Sequence, residues 1–336
     1  MNDSSPLVLA GDLGGTNFRV AIFQGGLEMK RLHFRKFPSA DHHSLEEMVQ
    51  LFLSGILLPS PPQAACFGVP GPNVAGVVVA SNLGWKIDTH ALPRLLGIPR
   101  VAVLNDLEST AYGLSVLRQT DLATLQAGSG SHAGNQCVIA PGTGLGEVGL
   151  FWDGSRHTPW ACEGGHSDFA PTDDLQVELL NALRREYGRV SSERVVSGMG
   201  IGNIYRFLRD NGHGKENALV AQEMLQGDAA AVIDRHAADG SCPLSRTTMD
   251  LFVQALGSEA SNMALKSMAT GGVFLAGGIP PKLLHLLRRP LFLESFLNKG
   301  RLRSVLETMP LYVVLNDETA LLGSACYALR ILKSNA

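Results

Sequence analysis

The chain has 336 residues, 45% of them hydrophobic and 18% charged, with 37 glycines; this is more chain than one core usually serves, so two lobes of glycine-punctuated α/β structure are expected and a disordered or fibrous class is excluded. A formal net charge of −3, a pI near 6.4 and no Lys/Arg stripe argue against a nucleic-acid partner. The five cysteines (Cys66, Cys137, Cys162, Cys242, Cys326) form no C-x-x-C pair, the approach to Asp12 carries no basic, apolar leader, and no run of about 18 apolar residues occurs; disulfide frameworks, thiolate zinc and membrane spans are therefore not expected, and a reducing cytoplasm is.

In chain order, the β-rich runs Leu7 to Gly11 and Phe18 to Phe23 flank the turn Asp12-Leu13-Gly14-Gly15-Thr16-Asn17, which predicts an antiparallel hairpin, with Arg31 to Phe37 as a third strand. Ser44 followed by Glu47 opens a capped helix with apolar periodicity to Leu58, stopped by Pro59, Pro61 and Pro62. Ala64 to Val69, Gly76 to Ala80 and Arg100 to Leu104 read as strands, and Asp106 to Leu117 has helical spacing. Asn105 and Asp106 then fall at a strand's carboxyl end, where ligands gather in open α/β sheets.

Asp121 to Gln136 is polar and rich in Gly and Ser, which predicts a surface excursion with the change of lobe near it. A second strand-glycine-strand unit follows around Pro141 to Gly146, then helices from Leu175 to Thr270, a strand at Val273 to Ala276, the turn Gly277-Gly278, a helix opened by Pro280, a strand at Leu311 to Leu315 and a final helix from Glu318. Two strand-glycine-strand units in separate halves form a weak internal repeat, as expected if each lobe supplies one phosphate-holding hairpin.

The turn Gly11 to Asn17 pairs glycines, whose backbone N–H groups can approach an anion, with a carboxylate, Asp12, that repels bare phosphate but suits Mg²⁺ placed between them. The turn alone reads equally as an ordinary hairpin. Gly142-Thr143-Gly144-Leu145-Gly146 follows a strand but precedes Val148 to Phe151, another strand rather than the helix a dinucleotide fold needs, and no Walker-A motif occurs. Asn105-Asp106 offers a base for an attacking hydroxyl and an amide for its neighbour, although a helix N-cap fits that pair as well. Glu163-Gly164-Gly165-His166 and Glu193 supply carboxylates and an imidazole suited to the vicinal hydroxyls of a sugar. A core histidine at His166, a helix-start charge at Glu193 and a zinc site at Cys162, Glu163 and His166 are the competing readings, the last short of a fourth ligand.

In order and spacing over nearly the whole chain, Gly11 to Asn17, Asn105-Asp106, Gly142 to Gly146, Glu163 to His166, Ser191 to Glu193 and Ala276-Gly277-Gly278 resemble the bacterial glucokinase family of the hexokinase/actin-like superfold. Ser197-Gly198 to Tyr205 and Leu321 to Ser324 add to the resemblance. It implies a two-lobed, actin-like ATPase (ribonuclease H-like) α/β fold with its active cleft between a small α/β domain, residues 1–116 with 312–336, and a larger α+β domain, residues 117–311. The implied reaction is transfer of the γ-phosphoryl group of ATP to the 6-hydroxyl of D-glucose, with Asp106 as general base and Asn105, Asp106, Glu163, His166 and Glu193 on the sugar. By the same likeness Gly11, Asp12, Leu13, Gly14, Gly15 and Thr16 form one phosphate loop, Gly142, Thr143 and Gly144 the second, Gly277 and Gly278 line the adenine side, and Asp12 holds Mg²⁺ through water. A cytoplasmic homodimer is implied too.

Met199 stands where relatives commonly carry proline, and Thr319-Ala320 replace a Pro-Gly, neither at a proposed catalytic group. The Cys-rich zinc motif of the related repressor/open-reading-frame/kinase group is missing after Glu163 to His166, so its metal site is not expected. A kinase for another hexose or with polyphosphate as donor, and a non-catalytic sugar sensor or actin-like ATP-binding protein, are the rival readings. A repressor lacks room for a DNA-binding helix pair ahead of Asp12.

Overall fold

The computed structural model describes residues 5–26, 28–71, 73–80, 83–129 and 133–333. It divides into two compact units, residues 1–118 with 316–336, and residues 119–315. The first unit opens with β1 (Leu7–Leu13), β2 (Asn17–Gln24), β3 (Lys30–Pro38) and α1 (Leu45–Ser54), followed by β4 (Ala64–Val69). The small strands β5 (Asn73–Val74), β6 (Val77–Ala80) and β7 (Trp85–Asp88) come next, then α2 (Leu92–Leu96), β8 (Arg100–Asn105) and α3 (Asp106–Gly113). Its main sheet has the order β3-β2-β1-β4-β8, antiparallel through β3, β2 and β1 and parallel through β1, β4 and β8.

Alternation along β1 explains its layers. Leu7, Leu9 and Leu13 pack with Leu45, Met48, Val49 and Phe52 of α1, while Val8 and Ala10 pack with Leu321, Ala325 and Ala328 near the C-terminus. A strand covered on both faces must be apolar along its covered length, as β1 is from Leu7 to Gly11, ahead of Asp12. Each large side chain buried from α1 contributes roughly 1.5–3 kcal/mol, and Ser44 starts that helix by accepting a hydrogen bond from the Glu47 N–H at 3.1 Å.

The second unit contains β9 (Leu122–Gln126), β10 (Gln136–Pro141), β11 (Leu145–Trp152), β12 (His157–Cys162), α4 (Asp174–Tyr187), α5 (Gly198–Asp210), α6 (Ala218–Gln226), α7 (Ala229–Ala238) and α8 (Pro243–Ser267). It ends with β13 (Gly272–Leu275), α9 (Leu284–Leu287), α10 (Pro290–Leu297), α11 (Arg303–Thr308) and β14 (Leu311–Val314), after which α12 (Thr319–Lys333) returns to the first unit. The sheet order is β12-β11-β10-β13-β14-β9. The 25-residue α8 is buried along most of its length and packs with α5, α7 and α10 against that sheet. Among the described residues no helix is long and apolar enough to cross a membrane.

Several expectations need correction. The predicted excursion from Asp121 to Gln136 contains β9, an edge strand antiparallel to β14, while Gly130, Ser131 and His132 within it lie outside the described residues. β14 pairs with β13 and β9, so residues 312–315 belong to the second unit rather than to the small domain. The first helix stops at Ser54 with Gly55 as its cap, short of Leu58, and α3 tightens to a 3₁₀ turn at Leu114–Val116 instead of running to Leu117. Pro280 does not open a helix directly, because α9 begins at Leu284.

Candidate active site

Within the first unit the relevant groups gather where the parallel strands end. Register sets Asp12 of β1 level with Gly68 of β4, and Val69 level with Asn105 of β8, so Asp12, Asn105 and Asp106 share the carboxyl edge of the sheet. Asn105 is the N-cap of α3: its Oδ1 accepts from the Leu107 N–H at 2.9 Å, and Glu108 Oε2 accepts from the Asn105 N–H at 3.2 Å. The predicted site residue Asn105 is thus also the helix cap. Asp106 Oδ1 also accepts from the Leu107 N–H, at 2.9 Å, and the residue is half-buried at the helix N-terminus, where a negative charge is stabilised.

Asp12 is mostly buried, and burial pushes its carboxyl up to about 6, with Asp106 and Asp317 adding to the rise. Arg19, opposite Asp12 in the hairpin register, opposes that rise from 3.8 Å and also bonds Asp317. Three carboxylates against one guanidinium leave an excess of negative charge at this edge. Asp12 is the carboxylate here that could serve a hard divalent cation bound with a nucleotide; among the described residues no cluster of three or more Asp, Glu, His or Cys side chains could hold a metal by itself, so phosphate and water would have to supply the other ligands.

The turn itself is narrower than expected. Gly14, Gly15 and Thr16 form it, closed by a hydrogen bond from the Gly14 N–H to the Asn17 carbonyl at 2.8 Å, with Gly15 and Thr16 exposed. Leu13 is a core residue, and Gly11 lies inside β1 with its carbonyl accepting from the Ser324 hydroxyl at 2.9 Å. A Cβ on Gly11 would meet the rings of Phe18 and Phe67 at 2.6 Å. Ring packing therefore accounts for this glycine.

In the second unit β10 and β13 run parallel, and their carboxyl ends carry Gly142 to Gly144 and Gly277 to Gly278. Gly277 takes φ +82°, and a Cβ there would lie 2.9 Å from the Pro141 carbonyl, so the two glycine turns abut. The N-terminus of α5 joins them: the Gly198 N–H donates to the Gly142 carbonyl at 2.8 Å, and the N-cap Ser197 accepts from the Gly200 N–H at 3.0 Å. Thr143, Gly277 and Gly278 are exposed.

Glu193 connects this glycine surface to the sugar candidates. Its Oε2 accepts from the Leu145 N–H at 3.0 Å, and its Oε1 lies 3.9 Å from His166 Nδ1. His166 Nε2 in turn lies 3.9 Å from Glu163 Oε2, so the imidazole stands between two carboxylates. Glu163 and His166 are exposed while Glu193 is largely buried. The 3₁₀ turns Gly164–His166 and Ser192–Arg194 that carry them are tied by the Ser192 N–H to Ser167 carbonyl bond at 2.8 Å and by the Arg189 guanidinium on the His166 carbonyl. The arrangement offers acceptors and a two-faced imidazole at a spacing suited to adjacent hydroxyls.

Arg19, Asp317 and Arg189 are supporting residues that no sequence motif singled out, while Ser197 and Ser324 lie in the family-like motifs Ser197-Gly198 to Tyr205 and Leu321 to Ser324, without a role read for them there. Arg19 had a signal, since it and Asp12 stand two residues outside the four-residue stretch Gly14 to Asn17. Asp317 had none, being 298 residues from Arg19, and nothing local tied Ser324 to the Gly11 carbonyl 313 residues away.

The glucokinase family profile matches residues 9–331. A glucokinase of Trichormus variabilis is 40% identical over 340 aligned residues, covering 97% of this chain and 99% of that protein. The crystal structure of a glucokinase from an Antarctic psychrotroph matches with a TM-score of 0.85 at 32% identity, over 96% of this chain and 99% of that one. A ROK family glucokinase from Streptomyces griseus, solved with glucose and AMPPNP, shares the fold, with a TM-score of 0.61 at 19% identity over 96% of this chain and 99% of its own. With its actin-like ATPase fold and a family match along nearly its whole length, the chain belongs to the glucokinase family.

Proposed function

We propose that this kinase transfers the γ-phosphoryl group of ATP to the 6-hydroxyl of D-glucose, with Asp106 accepting the hydroxyl proton. The observation that carries the assignment is the placement of Asp106, half-buried at the end of β8 and close enough to Asp12 to raise its carboxyl. Asn105, Glu163, His166 and Glu193 hold the sugar hydroxyls. The turn Gly14 to Thr16 with Asp12, and the turns Gly142 to Gly144 and Gly277 to Gly278, receive the nucleotide. Mg²⁺ bound with ATP, held by Asp12 through water, supplies charge neutralisation on the phosphates.

Phosphoryl transfer asks little covalent chemistry of the protein. Positioning of the 6-hydroxyl and removal of its proton as the bond to phosphorus forms are the tasks of these side chains. Asp106→Asn keeps the shape and removes the base, so turnover should collapse while glucose binding, read by calorimetry, persists. Wild-type turnover in that variant would end the assignment. Measurement of the sugar phosphate formed from glucose, mannose, glucosamine and fructose, with ATP or polyphosphate as donor, tests the substrate pair, and glucose with ATP should dominate. The cytoplasmic homodimer belongs to the same proposal, and light scattering on the purified chain reads its dimeric part.

A further inference from the structure

Beneath the turns that carry Glu163, His166 and Glu193 lies an acid pair that phosphoryl transfer does not use. Glu147 of β11 is 2% exposed and Glu259 of α8 is 5% exposed. Carboxylates this buried ordinarily have a cation or a full set of donors. Here Ser192 Oγ and Asn262 Nδ2 both donate to Glu259 Oε2, at 3.3 and 3.1 Å. Glu259 Oε1 and both oxygens of Glu147 are buried and receive no hydrogen bond from any described donor. Neighbouring acceptors cannot satisfy one another unless one carries a proton and donates it to the other. Burial first, and then the Glu259 carboxyl, push Glu147 up to about 8.

The pair touches both sugar turns. A Cβ on Gly164 would lie 2.0 Å from Glu147 Oε2, so the backbone of the turn Gly164–His166 rests on that carboxyl. On the other side Ser192, bonded to Glu259, begins the turn that carries Glu193. We propose that Glu147 and Glu259 form a proton-holding pair that positions the two sugar-binding turns, so that glucose affinity falls when the shared proton is lost. This rests on the assignment of Glu163, His166 and Glu193 to the sugar.

The other groups facing the pair are Lys266 of α8, Lys299, Cys137 of β10 and Cys162 of β12. Burial pushes Cys137 up to about 12 and also raises Cys162, so both thiols stay neutral near pH 8. Lys266 draws Glu147 downward, less than burial and Glu259 raise it, and burial lowers Lys299. A carboxyl raised from 4.5 to about 8 binds an extra proton in the folded state between those values. Stability therefore falls as pH rises through that window and levels off above it.

The test follows glucose affinity by calorimetry, kcat and the thermal midpoint across pH 6 to 9 (about three units, each a tenfold change in proton activity), for the wild type, Glu147→Gln and Glu259→Gln. Either amide supplies a permanent donor to the remaining carboxyl. The wild-type dissociation constant for glucose should rise on the order of tenfold as pH passes 8, the factor that one pKa unit of coupling represents, while both variants lose that dependence and Glu147→Gln also loses the decline in thermal midpoint. A flattened thermal profile in Glu147→Gln beside an unaltered pH dependence of glucose affinity overturns the proposal and leaves the sugar-site reading standing. Absence of glucose binding by the wild type at every pH overturns that reading and the proposal with it.

Discussion

The β1–β2 and β10–β11 hairpins both place a glycine turn after a buried strand, yet they obtain their carboxylates by opposite routes. Asp12 comes from the first hairpin's own strand, faces Arg19 across the ladder and stays largely buried, so its charge is costly until a cation arrives. Glu193 comes to the second hairpin from 48 residues away and is held by the Leu145 N–H. The strand leading into the first turn is part of the core, with Leu13 and Gly11 packed inside the unit. Both turns expose their tips, at Gly15 and Thr16 and at Thr143, but the polar partners of the second arrive on separate turns. An embedded carboxylate suits a fixed task such as holding a metal-nucleotide, whereas carboxylates on separate turns suit a polyhydroxylated ligand that must be gripped from several directions.

Four substitutions would break or sharpen this contrast. The largest effect is expected from Asp106→Asn beside the first hairpin, with kcat reduced about 10²- to 10⁴-fold, the usual contribution of a general base. Gly11→Ala comes next: its new methyl collides with Phe18 and Phe67, so stability should drop by about 1–3 kcal/mol, seen as a lower melting midpoint. A rise in the KM for ATP without a loss of stability would instead return Gly11 to the phosphate loop. Glu193→Gln keeps an acceptor for Leu145 but removes the charge, and the KM for glucose should rise about tenfold, equivalent to about 1.4 kcal/mol, with the KM for ATP little changed. An equal rise in both would mean that the second hairpin does not separate sugar from nucleotide. The smallest effect belongs to Ser44→Ala, which removes the α1 cap and should cost about 1 kcal/mol of stability without altering either KM.

Elements with local signals were legible. The hairpin around Gly14 to Thr16, the Ser44 cap, the strand before Asn105 and the second hairpin each announce themselves through alternation, capping chemistry or glycine. β9 was not, because five residues bounded by polar stretches carry little periodicity and acquire strand character only by pairing with β14. Asn105 was readable as a cap or as a site residue, and its backbone bonds show the capping role directly. Glu147 and Glu259 gave no warning: one sits in a strand and the other in a helix, and an acidic residue is ordinarily exposed.

By itself the sequence determined the order of strands, helices and glycine turns, the family, and which polar residues stand at strand ends, since these depend on neighbours within a few positions. Tertiary structure alone decided that β14 pairs into the second sheet, that Asp317 and Ser324 support the first hairpin, and that two glutamates are buried together beneath the turns that carry Glu163, His166 and Glu193. Burial and long-range pairing depend on what the rest of the chain brings to a position, and local residue order does not encode that.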